Sequence, residues 1–94
     1  MSMVGKENTY TCDTCGQFMV TVHVDDGVTP MLLRCRVSGC KGMGHSAWYR
    51  GRPEGAGEPR WEWFKPTERA IKRMTPEMQD HIRSGGLDLR ERHD

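Results

Sequence analysis

Two short cysteine motifs, Cys12-Asp-Thr-Cys15 and Cys35-Arg-Val-Ser-Gly-Cys40, decide the fold of this chain. Two tight turns that each offer two thiolates can enclose one Zn²⁺, and the residues between them suffice for two short strands and a turn. Gly16 and Gly39 supply the unusual backbone conformations that such turns need. Because four thiolates leave no coordination position for water, the spacing predicts a structural zinc ion and not a catalytic one.

Other interpretations of the four cysteines remain open. They could form two disulfide bonds or stay as four free buried thiols. No apolar export segment precedes them, so we expect a reducing cytoplasm, which disfavours disulfides. His45 is an alternative ligand, but the thiolates are better spaced. We therefore favour four metal ligands: Cys12, Cys15, Cys35 and Cys40.

The length of the chain indicates why a metal is useful. A domain of 94 residues buries only about 60 to 68% of its unfolded surface, so its core is marginal. Structural zinc contributes roughly 10 to 16 kcal/mol in small metal-folded peptides, which is enough to support such a core. We predict a small α+β metal-stabilised domain, in which a zinc ribbon of antiparallel strands over residues 9–50 precedes two short helices.

The net charge and the apolar runs limit the partners of the chain. The formal charge is +1, and four thiolates with one Zn²⁺ shift it by about −2, to about −1. A nearly neutral protein has little general attraction for nucleic acid, so contact with DNA or RNA would need a local basic patch. The longest purely apolar run, residues 31–33, is too short to span a bilayer.

Alternation of side-chain character predicts the strands. Within residues 18–24, Phe18 and the valines at every second position share one face. The returning segment 31–36 is expected to pair antiparallel with this strand, which would bring Cys35 beside Cys15. The predicted strands cover residues 9–11, 18–24, 31–36, 45–50 and 61–65, after a loose lead-in at residues 1–8.

The region after the second cysteine pair is rich in glycine and tryptophan. Residues 51–60 contain three glycines and two prolines and are predicted to form a flexible loop. Large aromatic side chains bury area efficiently, so Trp48, Trp61 and Trp63 are expected to cover the apolar face of the ribbon. The alternative is an exposed aromatic platform for binding.

Beyond residue 66 the apolar period becomes helical. Thr75-Pro76-Glu77 has the capping hydroxyl, first-turn proline and first-turn acid of a helix start. We predict helices at about residues 67–74 and 76–84 and a C-terminal tail at residues 85–94, extended near Leu87 and frayed at its end. One stripe of four residues is expected to cover the sheet: Ile71, Met74, Met78 and Ile82.

Residues 60–73, here called the basic segment, contain five basic and two acidic side chains. Cations beside aromatic rings suit contacts with exposed bases, although solvated helix faces carry similar charge runs. The candidate contact residues, for a protein or for nucleic acid, are Arg60, Lys65, Arg69, Lys72, Arg73, Trp61 and Trp63. No nucleophile elbow, phosphate loop or dinucleotide fingerprint occurs, so we expect no enzymatic activity.

The cysteine pattern, with Trp48 some residues later, resembles the Ogr/Delta family of small zinc-binding activators of phage late transcription. The likeness covers residues 12–48 and implies a zinc ribbon with the four cysteines as ligands. It also implies a protein that binds promoter DNA and engages host RNA polymerase. Residues 18–24 lack the arginine and serine character of that family, so only the ligand roles carry over.

A second resemblance concerns the C-terminal half, from Trp63-Phe-Lys-Pro66 to Gly85-Gly-Leu87, which is similar to small uncharacterised proteins of actinobacterial phages. It implies no activity. Two functions therefore remain: a regulator that joins the host transcription apparatus, with RNA polymerase first, or an adaptor or inhibitor of another host protein that acts through its aromatic and helical surface. We expect a protein partner, possible DNA contact through the basic segment, no membrane and a host-cytoplasmic location, and we leave the oligomeric state open.

Overall fold

The computed structural model describes residues 2–92, and within them six strands form one sheet. Two short helices lie between the fifth and sixth strands of the sequence. The prediction of a small domain with strands and short helices is confirmed. The elements are β1 (Glu7–Cys12), β2 (Phe18–His23), β3 (Leu32–Arg34), β4 (Met43–Ser46), β5 (Trp61–Phe64), α1 (Glu68–Ile71), α2 (Pro76–Arg83) and β6 (Asp88–Glu91).

Two antiparallel hairpins carry the cysteines. The strands β1 and β2 form the first hairpin, and β3 and β4 form the second. Antiparallel pairing of β1 with β4 joins the two hairpins edge to edge. The sheet order is β3-β4-β1-β2-β5-β6, and only the β2–β5 pair is parallel. The two cysteine motifs therefore lie at the same end of a joined pair of hairpins.

The predicted pairing of residues 18–24 with residues 31–36 is wrong, because β2 lies between β1 and β5. A short turn connects β1 directly to β2, and β1 is longer than predicted, so it occupies the edge of β2 that we had assigned to the returning strand. The segment β3 pairs instead with β4. Cys35 still reaches Cys15, because the β1–β4 pairing brings the second hairpin beside the first.

The predicted strand at residues 45–50 is shifted: β4 ends at Ser46. Trp48 and Tyr49 have φ angles of 57° and 62°, in the left-handed region that a strand cannot use. The Trp48 side chain is 58% exposed, whereas that of Trp63 is 2% exposed and that of Trp61 is half-buried. The expectation that all three tryptophans cover the sheet is therefore wrong for Trp48.

The sheet is strongly curled around its buried cluster. Tyr10 of β1 and Trp63 of β5 have ring centroids 6.3 Å apart, although β2 lies between their strands. The guanidinium carbon of Arg36, just after β3, lies 5.6 Å from the centroid of Trp61. This curl brings distant strands together around one core: Tyr10, Met19, Leu33, Trp63 and Leu87, with Trp61 and Leu89 packed against it.

The concave face of β2 carries Met19, Thr21 and His23, all of which are buried. On the opposite face, which is richer in valine, Val20 is buried but Val24 is exposed. The polar side chains can lie inside because each finds a partner. The indole N–H of Trp63 donates to the hydroxyl of Thr21 at 2.8 Å, and an imidazole nitrogen of His23 lies 2.9 Å from the hydroxyl of Tyr49.

Both helices begin where threonine caps them. The hydroxyl of Thr67 accepts from the N–H of Ala70, and that of Thr75 accepts from the N–H of Met78. The first helix is shorter than predicted and ends at Ile71. In the apolar stripe Ile71 and Ile82 are buried and the two methionines are half-buried. Within the described residues none of these four side chains belongs to the buried cluster around Trp63. The stripe therefore does not form part of the core on the ribbon strands, where we predicted it.

The ends of the chain are more ordered than predicted. The lead-in already contains the start of β1, and Asn8 is buried. The predicted tail contains β6, which pairs antiparallel with β5, so Arg90 and Glu91 are strand residues and not a frayed end. Met1, His93 and Asp94 lie outside the described residues. The loop at residues 51–60 forms no helix or strand, and its flexibility stays a prediction.

Candidate metal centre

The four cysteine sulfurs form a cluster in which all Sγ atoms lie within 4.8 Å of one another. Cys12 and Cys40 have Sγ atoms 3.7 Å apart, and Cys15 and Cys35 have Sγ atoms 3.6 Å apart. A tetrahedron with zinc–sulfur bonds of about 2.3 Å has sulfurs about 3.8 Å apart. A disulfide needs about 2.0 Å, and all four cysteines are free. The cluster is therefore close enough to hold a metal ion, as the cysteine spacing predicted.

Backbone N–H groups surround the sulfur of Cys12. The N–H groups of Thr14 and Cys15 both lie 3.4 Å from this sulfur. They lower the pKa of Cys12 to about 6, with Cys15 the larger influence. In the second turn the N–H of Gly42 lies 3.4 Å from the sulfur of Cys40. These donors stabilise thiolate charge and orient the sulfurs, as the groups around metal ligands do.

The second cysteine pair has the opposite tendency. A backbone hydrogen bond from Val37 lowers the pKa of Cys35, but burial and the sulfurs of Cys12, Cys15 and Cys40 outweigh it and raise this pKa to about 12. Four thiolates are close enough to repel one another. A divalent cation would offset that repulsion and favour the ionised form of all four.

Gly42 is a required residue that the sequence did not reveal. A Cβ atom at this position would lie 2.6 Å from the hydroxyl oxygen of Thr14 and 2.7 Å from the sulfur of Cys12. The two glycines that the sequence singled out, Gly16 and Gly39, have φ angles of 74° and 81° and do adopt left-handed conformations. Gly42 has no such angle, so only the packing of the two turns identifies it.

Asp13 links the two metal turns, and His45 is its partner. The carboxylate of Asp13 accepts from the N–H of Met43 at 3.1 Å and from the hydroxyl of Thr14 at 2.9 Å. The N–H of Met43, followed by Thr14 and His45, lowers the pKa of Asp13. The Nε2 atom of His45 lies 3.3 Å from this carboxylate, and His45 is not a member of the ligand cluster. The set of four cysteines is therefore the better ligand assignment.

The basic segment keeps its charge exposed. All five of its cations are exposed, and its two acids pair with arginines from elsewhere in the chain. Glu68 lies 2.6 Å from Arg83, and Glu62 lies 3.3 Å from Arg90. Within residues 2–92 the candidate cations form no ion pair: Arg60, Lys65, Arg69, Lys72 and Arg73.

The two candidate tryptophans of the basic segment lie in different environments. Trp61 is half-buried and lies under the guanidinium of Arg36. Trp63 belongs to the core and donates its indole N–H to Thr21, so its side chain does not reach a partner in this conformation. The curled sheet therefore places Trp63 inside, and its role as a contact residue stays a prediction.

A second surface was missed by sequence reasoning. Four apolar side chains near β3 are between 49% and 66% exposed, and we call them the edge patch: Val28, Met31, Leu32 and Trp48. Three of them line an open cavity of about 240 Å³, together with the buried amide of Asn8. No local pattern predicts this surface, because it depends on the left-handed turn at Trp48 and on the position of β3 at the edge of the sheet.

Neither described helix is long and apolar enough to cross a membrane. Comparison of the chain with protein-family models, with curated proteins and with solved structures found no match.

Proposed function

We propose that the four cysteines hold one structural Zn²⁺ in a zinc-ribbon arrangement and that the protein is a non-enzymatic binding protein. In this proposal it docks on a host macromolecule, with the transcription apparatus as the first candidate, and acts there as a regulator. The observation that carries the metal assignment is the spacing of the sulfurs, with pairs 3.6 and 3.7 Å apart. This spacing fits a tetrahedral shell of four thiolates.

A metal at this site would connect the two hairpins. Cys12 and Cys15 belong to the first hairpin, and Cys35 and Cys40 to the second, so one ion would link them where β1 and β4 pair. A shell of four sulfurs leaves no open position for substrate, which supports a structural role and not a catalytic one.

The metal assignment is tested by counting zinc. We expect one zinc per chain in the purified protein, and we expect Cys35→Ser to lose the metal and the cooperative unfolding transition. Ser38→Ala is the matched control, because Ser38 is exposed in the same turn but is not a ligand. A Cys35→Ser protein that retains one tightly bound zinc would contradict the assignment.

The docking proposal is supported by two exposed surfaces of different chemistry, the basic segment and the edge patch. The basic segment offers five exposed cations, which form no ion pair within the part of the chain that the structure describes and can contact phosphates or acidic protein surfaces. The resemblance of the cysteine pattern to the Ogr/Delta activators makes RNA polymerase the first partner to examine, and it keeps promoter DNA as a possible second contact.

Two measurements distinguish a protein partner from DNA. One is a DNA titration at two salt concentrations, and the other is capture of purified host RNA polymerase by the zinc-loaded protein. The perturbation is the combined change Arg69→Glu, Lys72→Glu and Arg73→Glu. We expect weak DNA binding and capture of the polymerase. Strong salt-dependent DNA binding that the triple change abolishes would contradict a protein-first function.

A second candidate function is an adaptor or inhibitor of another host protein with no role in transcription. The edge patch favours it, because exposed aromatic and methionine side chains such as Trp48 and Met31 are typical of protein interfaces. Failure to capture the polymerase, together with an intact complex with a different host protein, would select this alternative.

A further inference from the structure

The outer strand of the sheet, β3, has unpaired backbone groups. It pairs only with β4 among the described strands. The carbonyl of Met31 accepts from the N–H of Ser46 at 2.9 Å, and the N–H of Cys35 donates to the same neighbouring segment at 3.0 Å. Because successive residues of a strand direct these groups to opposite sides, Leu32 and Arg34 direct theirs away from the sheet. Both residues are exposed.

The edge patch lies beside this free edge. Leu32 begins β3 and Met31 directly precedes it; Met31, Val28 and Trp48 line a cavity of about 240 Å³ at this end of the strand. Trp48 is held there in a left-handed conformation, which is unfavourable for a residue other than glycine. Its N–H donates to the hydroxyl of Ser46 at 3.1 Å, which helps to fix the turn. The fold therefore bears a conformational cost to keep a large aromatic ring outside the core.

The same edge is positively charged. Arg34 and Lys41 line a shallow depression of about 260 Å³ next to the second metal turn. Arg36 lies close by in the chain with its guanidinium over Trp61. Within residues 2–92 none of these three cations forms an ion pair. The edge therefore combines backbone groups that β4 does not pair with, an apolar cavity at its start, and cations that form no ion pair within the described residues.

We propose that the free edge of β3 binds an extended segment of a partner protein, with alternating acidic and apolar residues, as a seventh strand of the sheet. Backbone bonds to Leu32 and Arg34 hold the segment, as in other cases of strand addition. An acidic side chain lies beside Arg34, and apolar side chains on the other face of the segment contact Met31 and Trp48. This assignment rests on the proposed function in one respect: both take a protein as the partner.

Charge decides between this occupant and a second copy of the chain. Pairing of two β3 edges would bring Arg34 and Lys41 of both copies to one seam, and like charges at a strand edge oppose such pairing. An acidic segment meets the same cations with opposite charge. The uncharged part of the site, from Met31 to Trp48, takes apolar side chains from a peptide and offers nothing to a phosphate backbone.

The test uses the zinc-loaded full chain and two synthetic hexapeptides of alternating sequence, Ac-VEVEVE-NH₂ and Ac-VKVKVK-NH₂. Binding is followed by the amide signals of Leu32 and Arg34 in nuclear magnetic resonance spectra and by titration calorimetry. We expect the glutamate peptide to bind at least about tenfold more tightly than the lysine peptide, because like charges across an interface repel. Arg34→Glu should reverse this preference.

The backbone contribution has its own pair of variants. Leu32→Pro removes an N–H that points away from β4, so it should abolish peptide binding while β3 and β4 stay paired. Leu32→Ala keeps that N–H and is the control, and we expect it to weaken binding less than threefold. Zinc content and thermal stability, measured on each variant, show whether the variant has folded.

The outcomes separate this assignment from the proposed function. Two results obtained with folded, zinc-loaded protein overturn the assignment. One is equal binding of both peptides by the wild type. The other is binding of the glutamate peptide by Leu32→Pro that is as tight as binding by the wild type. Dimerisation of the wild type without peptide binding also overturns it and identifies a second copy as the occupant. If Leu32→Pro captures RNA polymerase at the wild-type level, the proposed function is retained, but the edge of β3 is not the surface that binds the polymerase.

Discussion

Replacement of Gly42 by alanine should disturb the metal centre without removing any ligand. The added Cβ would lie 2.7 Å from the sulfur of Cys12 and 2.6 Å from the hydroxyl of Thr14, whereas ordinary contacts are 3.4 to 4 Å. Relief of this overlap needs a movement of about 0.7 Å or more by one turn relative to the other. Rotation of the Thr14 side chain would move its hydroxyl but not its Cβ, which also lies 2.7 Å from the added atom, and the Cys12 sulfur is held by two backbone N–H groups.

A displacement of that size is a large fraction of a zinc–sulfur bond of about 2.3 Å. Substitution of groups that position metal ligands costs about 10- to 100-fold in metal affinity. We therefore expect Gly42→Ala to bind zinc about 10- to 100-fold more weakly than the wild type, with the same stoichiometry of one ion per chain.

The assay is a competition titration against a coloured chelator of known zinc affinity at constant pH. Ser38→Ala serves as the control, because Ser38 is exposed in the same turn. Wild-type affinity in Gly42→Ala would refute the packing of the two turns described here. Equal weakening in Ser38→Ala would show that the effect is not specific to contact with Cys12.

Three further changes probe the fold. Trp63→Phe removes the indole N–H that donates to Thr21, and we expect a loss of about 1 to 3 kcal/mol in the free energy of unfolding, measured by denaturant titration. Ile82→Ala removes a side chain that is 2% exposed and should cost about 2 to 5 kcal/mol in the same assay. Arg52 lowers the pKa of Glu7 below its ordinary value of 4.5. The pair therefore stabilises the fold above pH 4.5, and this contribution is lost as the pH falls through the lowered pKa. Arg52→Gln should flatten this part of the stability–pH curve.

Controls for these changes come from half-buried or exposed neighbours. Trp61→Phe should cost less than Trp63→Phe, because Trp61 is only half-buried. Met78→Ala should likewise cost less than Ile82→Ala. Equal losses within either pair would contradict the burial described for the sheet and for α2. An unchanged acid limb in Arg52→Gln would contradict the ion pair with Glu7.

The features that sequence predicted correctly are local ones. The spacing within each cysteine motif fixes which sulfurs can share an ion, and the structure brings together the same four. The start of α2 at Pro76 was equally predictable, because the hydroxyl of Thr75 caps it from the adjacent position. Within each cysteine motif and at this cap the residues are close in the chain, so their spacing carries the geometry, whereas the two motifs meet through the pairing of β1 with β4.

Strand pairing was not predictable, because it depends on competition between distant segments. Alternation in residues 18–24 identified a strand but not its neighbours, and β1 and β5 occupy both of its edges. The choice of buried face had the same cause. His23 is buried because Tyr49 bonds to it from a turn 26 residues away, and nothing near His23 in the sequence signals that partner.

The edge patch shows a similar limit. The aromatic residues near Trp48 favoured a strand by local propensity, but both Trp48 and Tyr49 adopt left-handed conformations that end β4. The hydroxyl of Tyr49 lies 2.8 Å from that of Thr29, in the connection between β2 and β3, so tertiary contacts support the turn. Local propensity could not anticipate these contacts, and the exposed tryptophan was expected in the core.

X-ray absorption spectroscopy at the zinc K-edge tests the central claim most directly, because it reports the atoms bound to the metal in the intact protein. The proposed site predicts four sulfur neighbours at about 2.3 Å and no nitrogen or oxygen neighbour. A shell with a water oxygen or an imidazole nitrogen, or a purified protein that contains no zinc, would contradict it.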